Sequence, residues 1–193
     1  MIVVYFDGGC EPVNPRGIST YGFVIYKDEG KIHQGKGLAC EPFAWQSSNN
    51  VAEYTALIKA LEWLVNSGLV DEETVVRGDS QLTIYQMTGR YSVNAERIIP
   101  LHKKAANLAK KFRKIRFEWI PRERNEEADR LSHEAYVEYL ETHPEVLKRI
   151  KHLLATEKQK KLLEKLGIKY DKYIGRREAS RLIDRALKKR KRC

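Results

Sequence analysis

The sequence predicts an α/β fold: a five-stranded mixed sheet flanked by helices, followed by a small helical extension at its C-terminal end. Three observations predict it. Three β-type runs joined by short turns open the chain. The apolar period then becomes helical, and two further β-type runs alternate with helical stretches. After about residue 140 the composition turns strongly basic and stays helical in pattern.

The elements follow in order. Residues 2–7 (IVVYFD) are β-branched and aromatic and read as a buried strand ending at Gly8-Gly9. Residues 20–27 (TYGFVIYK) give a second strand, Asp28-Glu29-Gly30 a turn, and 31–39 a third strand. Val51, Tyr54, Leu57, Ile58, Leu61, Leu64 and Val65 recur at helical spacing, which predicts a helix over 50–66. Asn49 or Asn50 can cap it, Glu53 falls in its first turn, and Gly68 can end it. Residues 74–78 (TVVRG) predict a fourth strand ending at Asp79, then a short helix over 80–88 and a loop over 91–97. Pro100 suits the opening turn of a helix running to Phe112. Residues 115–120 (IRFEWI) form a fifth strand closed by Pro121, and Asn125 can cap a helix from Glu126 to Glu141. An antiparallel meander followed by helical crossovers makes the sheet mixed.

Thr142-His143-Pro144 interrupts that last helix, so the chain divides into a main domain over 1–141, a helical connector over 142–154 and a basic helical module over 155–193. The module reads as helices over 157–166, capped by Thr156 and ended by Gly167, and over 176–190, after one over 145–154. Leu162, Leu163, Leu166, Ile168, Tyr173, Ile174, Leu182, Ile183 and Leu187 can form its apolar cluster. Some 40 residues make a marginal core alone, so docking on the main domain is one outcome. The terminal KKRKR run reads as frayed.

At 193 residues the chain can bury a core without disulfide staples. Three scattered cysteines suit neither a disulfide framework nor a zinc site. No apolar run approaches the roughly 18–20 residues of a membrane span, and MIVVYFDGG lacks the marks of a signal peptide. A cytoplasmic monomer is the expectation. The net charge of +10 is unevenly placed: residues 141–193 carry 18 Lys+Arg against 7 Asp+Glu, while 1–140 carry 18 against 19. The tail therefore calls for an anionic partner, nucleic acid before a membrane, or is a solvated helical surface. Its helices lack the Trp and Phe that interfacial membrane burial uses.

Four carboxylates carry the candidate chemistry. Asp7 and Asp79 stand at strand ends, and Glu53 and Asp129 in first helical turns. Such groups together would ligate hard divalent cations such as Mg²⁺, and two ions about 3.5–4 Å apart serve phosphoryl transfer. Each taken singly also has an ordinary role: a turn residue before Gly-Gly, a capping-box or dipole partner, an N-cap. Spacing alone leaves their convergence open.

The wording around them is more specific. YFDGGCEPVNPRG, SSNNVAEYTALIKALEWL, VVRGDSQLTIYQMTG and FEWIPRERNEEADRLS resemble, in order, the four motif blocks of type 1 ribonuclease H, and the resemblance covers about residues 1–138. It implies the ribonuclease H fold and cleavage of the RNA strand of RNA–DNA hybrids, leaving 3′-hydroxyl and 5′-phosphate ends. It implies that Asp7, Glu53, Asp79 and Asp129 hold two Mg²⁺ (or Mn²⁺) ions with substrate. It implies substrate contacts from Asn14, Asn49, Asn50 and Gln81, and from backbone near Cys10. Amides suit 2′-hydroxyls and base edges because they both donate and accept.

The chain departs from the better-known bacterial pattern in three ways. The loop before the last aspartate, Pro121-Arg122-Glu123-Arg124-Asn125, has no histidine; Arg122 or Arg124 can meet phosphate or simply be solvated. His133, four residues after Asp129, reads as a surface residue. The basic protrusion is missing, residues 89–98 being a short link. Double-stranded RNA thereby enters as a further substrate, and an inactive nucleic-acid-binding module as the rival reading. Third, the tail is added: residues 155–187 loosely resemble a small helical module of some helicase-like and phage proteins, with T-x-x-Q, L-G-I and E-A-S-x-L-I blocks.

Overall fold

The computed structural model describes residues 1–190, with side chains to Lys188. The last residues of the KKRKR run, and Cys193, lie outside the described residues. β1 (Ile2–Glu11), β2 (Ile18–Lys27) and β3 (Gly30–Leu38) form the antiparallel meander. β4 (Thr74–Gly78) and β5 (Ile115–Trp119) join parallel to β1, giving the order β3-β2-β1-β4-β5. The helices are α1 (Asn49–Asn66), α2 (Gln81–Met87), α3 (Ile99–Ala109), α4 (Glu126–Thr142), α5 (Pro144–Ile150), α6 (Glu157–Lys165) and α7 (Arg176–Arg190).

Alternation sorts the faces. Ile2, Val4 and Phe6 of β1 point into the main core with Tyr54, Leu57, Leu61 and Leu64 of α1, and α3 adds Ala105. α4 covers the opposite face, over β2 and β1. β1 does not stop at Asp7 as expected: its pairing with β2 runs on through Gly8–Tyr21 to Glu11–Ile18. Its parallel pairing with β4, in contrast, covers only Ile2–Tyr5. Asp7 thus reaches the sheet rim because its neighbour ends, not because its own strand does. The predicted connector helix is α5 plus a 3-10 turn over Lys151–Leu153, and α3 closes at Ala109, short of Phe112.

Two glycines let the helices come close. A Cβ on Gly8 would stand 2.3 Å from the Ala52 carbonyl carbon and from the Glu53 nitrogen of α1. A Cβ on Gly22, paired opposite Asp7, would stand 2.4 Å from the Ser132 nitrogen of α4. Both obstacles are backbone and cannot rotate away. Gly8→Ala is therefore expected to lever α1 off β1, costing about 1–3 kcal/mol or more and separating Glu53 from Asp7. A lowered urea midpoint with weakened Mg²⁺ binding is the expected result; an unchanged midpoint would mean that α1 has room to spare.

The tail has its own small core of Ala155, Leu163, Ile174, Ala179 and Ile183. Leu162 and Leu187, expected inside it, are 37% and 41% exposed. They fall on the outer sides of short helices whose inner faces are already filled by Leu163 and Ile183. Tyr173 leaves that cluster for another, packing against Ile18, Tyr136, Leu140 and Ile150. The module is thereby seated on β2 and α4 of the main domain.

Candidate active site

Asp7, Glu53 and Asp79 meet at the rim where β4 ends: each offers a carboxylate oxygen within 4.8 Å of the others. β1 supplies Asp7, 7% exposed, and α1 supplies Glu53, 8% exposed. Glu53 falls just past the first turn of its helix rather than within it, because the helix starts at Asn49. Asp79 follows directly on Gly78, the last residue of β4. The cap of α1 is neither Asn49 nor Asn50 but Ser48, whose extended backbone (φ −162°, ψ 162°) lets its hydroxyl accept from the Val51 N–H. That leaves the Asn49 side chain free for the cleft, while its N–H donates to Asn14 Oδ1 at 3.1 Å.

Three further side chains hold the carboxylates in place, and the sequence reading gave none of them this role. Ser132 donates its hydroxyl to Asp7 Oδ2. Asn125 does not cap α4 through its side chain; its Nδ2 donates to Asp79 Oδ1 at 2.8 Å and lies 2.9 Å from the Phe6 carbonyl. It pins β1 to the end of β4. Trp119 donates its indole N–H to the Asp79 carbonyl at 3.0 Å. Ser132 had a faint signal, standing three residues after Asp129 on one helix face.

Asp129 stands apart from the trio. It lines the same cleft, but its Oδ1 accepts from Arg122 Nη2 at 2.5 Å. Of the other expected residues, Cys10, Asn14, Asn49 and Arg122 line the cleft. The Cys10 thiol turns inward, donating to the Val13 carbonyl at 3.2 Å, so only its backbone is available. Asn50 is half-buried in α1, Gln81 is exposed at the start of α2, and neither lines the cleft. Arg124 does not line the cleft and lies beside Tyr5 and Arg77. Side chains in the 3-10 turn over Arg122–Arg124 are spaced about 120° apart, so the two arginines point in different directions, and Arg122 is the one that reaches Asp129. His133 is not a free surface group: its Nε2 lies 3.2 Å from Asp171 Oδ1 and its ring tilts against Tyr136.

The electrostatics are those of a cation site. Burial drives the Asp7 carboxyl up to about 7; the Ser132 hydroxyl opposes this, and Asp79 and Asp129 add to it. Burial, then Asp7 and Asp79, raise Glu53 well above the usual carboxylate range. Among the described residues Glu53 Oε2 has no hydrogen-bond partner although it is buried. An orphaned buried oxygen beside two more carboxylates is the donor set of a hard divalent cation, all oxygen and with no thiol or imidazole. Asp7, Glu53 and Asp79, with Asp129 at the edge, fit such ions.

The chain matches the family model described as reverse transcriptase-like over residues 5–135. It is 37% identical over 134 residues to a bifunctional protein of Mycobacterium tuberculosis, covering 69% of this chain and 35% of that protein. It is 37% identical over 131 residues to ribonuclease HI of Halobacterium salinarum, covering 68% and 62%. The chain thus spans about a third of the mycobacterial relative and under two thirds of the halobacterial one. Among solved structures, the N-terminal RNase H domain of the mycobacterial protein superimposes with a TM-score of 0.64 at 35% identity, covering 73% of this chain and 96% of that one. A ribonuclease H1 isolated from compost, solved in complex with an RNA/DNA hybrid, gives 0.65 at 37% identity, covering 72% and 99%.

Proposed function

Because the chain belongs to the type 1 ribonuclease H family, we propose that it cleaves the RNA strand of RNA–DNA hybrids by hydrolysis supported by two divalent ions. The observation that carries this reading is the convergence of Asp7, Glu53 and Asp79 in one cleft. Asp7, Glu53, Asp79 and Asp129 would hold the ions, Mg²⁺ or Mn²⁺. When bound, such ions supply Lewis acidity at phosphoryl oxygens and lower the pKa of water.

In the reaction a water oxygen bonds to phosphorus and the P–O3′ bond breaks. The departing 3′ oxygen keeps the electron pair and takes up a proton, which leaves a 3′-hydroxyl and a 5′-phosphate. Ser132 and Asn125 fix the carboxylates of Asp7 and Asp79 before substrate arrives, so little reorganisation is left for the reacting complex. Asn14 and Asn49, joined through the Asn49 N–H, present amides to the groove of the duplex. Arg122 carries a fork of donors that a phosphate can draw from Asp129.

The test is cleavage of one labelled RNA strand paired with DNA, paired with RNA, or left single, in Mg²⁺ and in Mn²⁺, beside the Asp79→Asn variant. Hybrid cleavage that disappears in the variant is expected. The RNA–RNA lane sets the breadth of the activity. No product with either metal would overturn the reading and leave a binding module.

A further inference from the structure

We propose that the C-terminal module is the second wall of the active-site cleft and grips the phosphate backbone of nucleic acid there through Lys169, Arg177 and Arg181; this deepens the nuclease reading and rests on it. A single cleft of about 710 Å³ is lined both by Asp7, Glu53 and Asp79 and by these three cations. They arrive from 90 or more residues further along the chain. They belong to the part that carries the chain's excess positive charge.

The wall is held in place rather than tethered. Tyr136 of α4 donates its hydroxyl to the Tyr173 carbonyl at 3.3 Å. Lys172 pairs with Glu141 at 2.7 Å, and Asp171 meets His133. Gly175 sits so close to the loop after β1 that a Cβ there would be 2.7 Å from the Pro12 carbonyl oxygen. Buried Tyr136 and Ile18 pack with Tyr173 beneath.

The cations are available. Lys169 and Arg177 are exposed, and the ion pairs of the described residues include neither. Arg181 has only a loose partner, Glu178 at 3.4 Å, in an open setting where such a pair is worth little. Of the acidic groups that line the cleft beside these cations, Asp171 is held by His133, and burial, with Glu178 and Asp171 adding, drives Glu11 of β1 up to about 7; Glu178 has only its loose contact with Arg181. A row of cations beside a floor of carboxylates suits one ligand class. That ligand is an extended polyanion whose outer charges meet the wall while one of its phosphates reaches the floor. Arginine forks and a lysine fix such a backbone without reading its sequence.

The test uses the full chain carrying Asp79→Asn and a fluorescent hybrid of about 20 base pairs, with affinity followed against salt. Lys169→Ala/Arg177→Ala/Arg181→Ala is added to one sample. Lys158→Ala/Lys161→Ala/Lys165→Ala, which removes the same charge from the exposed side of α6, is added to another. If three phosphate contacts are lost, the salt slope falls by about 2.7. The parent's affinity then drops about 40-fold more than the variant's between 50 and 200 mM salt. The α6 variant is expected to keep the parent's slope. In the otherwise wild-type chain, the cleft variant is expected to raise KM with kcat within about twofold.

Equal losses from both triple variants would overturn the proposal, because bulk charge would then suffice. An unchanged slope in the cleft variant would overturn it too, as would a rise in kcat/KM, which would mark the module as an obstruction. Circular dichroism of each variant separates misfolding from lost contacts. If the chain binds the hybrid but the wild type never cleaves it, the nuclease reading falls and the slopes still decide the grip. If the parent does not bind the hybrid, both fall.

Discussion

Glu53→Gln is expected to lose hybrid cleavage by about a thousandfold and yet to melt at a higher temperature than the wild-type chain in EDTA at pH 8. The two effects have one cause. Glu53 is buried in α1 against Asp7 and Asp79, with one carboxylate oxygen that finds no partner among the described residues. Without a cation, ionising that group means burying a charge beside two others of the same sign, which is strongly unfavourable. Glutamine keeps the shape, removes the charge, and can donate its amide hydrogens to the neighbouring carboxylates. The metal-free fold should therefore gain stability. The same change removes a ligand whose ion supplies several kcal/mol of transition-state stabilisation, and about 4 kcal/mol corresponds to a thousandfold in rate. Differential scanning calorimetry in EDTA and single-turnover cleavage in Mg²⁺ check the two halves. A variant that is inactive but less stable would show that Glu53 is a structural glutamate, satisfied in a way that the geometry does not indicate. With Mg²⁺ present the order of stabilities should reverse, since only the wild type gains the binding free energy of the full ligand set.

Asp7, Glu53 and Asp79, which the structure brings together, were legible as candidates because each sits in a distinctive run of neighbours, DGG, VAEY and GDSQ, on an element whose period is plain. The meander, the two parallel additions and α1 were legible for the same reason: alternation and helical spacing are local properties. What the sequence did not yield is contact across distance. Ser132 bonds Asp7 across 125 positions, and Asn125 bonds the Phe6 carbonyl across 119. Asn125 has the residue type and place of a helix cap, and nothing local says that its amide turns to the sheet instead. Arg122 and Arg124 look equivalent in sequence, and only the 3-10 turn separates them, one into the cleft and the other beside Tyr5 and Arg77. Gly8-Gly9 reads as a turn, which would end the strand at Asp7. The first of those glycines instead continues the strand and makes room for α1. The tail's charge was visible, but not that Gly175 and Tyr173 seat it against the loop after β1 and against α4.

In the absence of metal, stability should fall as pH rises from about 4 to about 8, opposite to the trend set by ion-paired carboxylates. Asp7 and Glu11 are each held near 7 in the folded chain against ordinary values of 3.8 and 4.5, and burial raises Glu53 well above its ordinary value in the same direction. A carboxyl whose folded pKa is raised binds its proton more tightly in the native state. Its contribution to stability is full below the unfolded value and is lost as pH climbs through the folded one. At about 1.4 kcal/mol per unit, Asp7 alone accounts for a few kcal/mol over that window. Mg²⁺ changes the result in one part of the molecule only. At Asp7 and Glu53 it competes with protons, so it should restore little at pH 5 and much at pH 8. Glu11 lies outside the trio, among Glu178, Asp171 and the tail. Its share of the loss should survive saturating Mg²⁺ and disappear in Glu11→Gln. Urea midpoints at half-unit pH steps, with and without Mg²⁺, for wild type and Glu11→Gln, separate the two contributions. A metal-free profile that rises from pH 5 to 8 would mean that the three carboxylates already have cationic partners in solution. The burial that shapes both the catalytic cluster and the seat of the module would then have been misjudged.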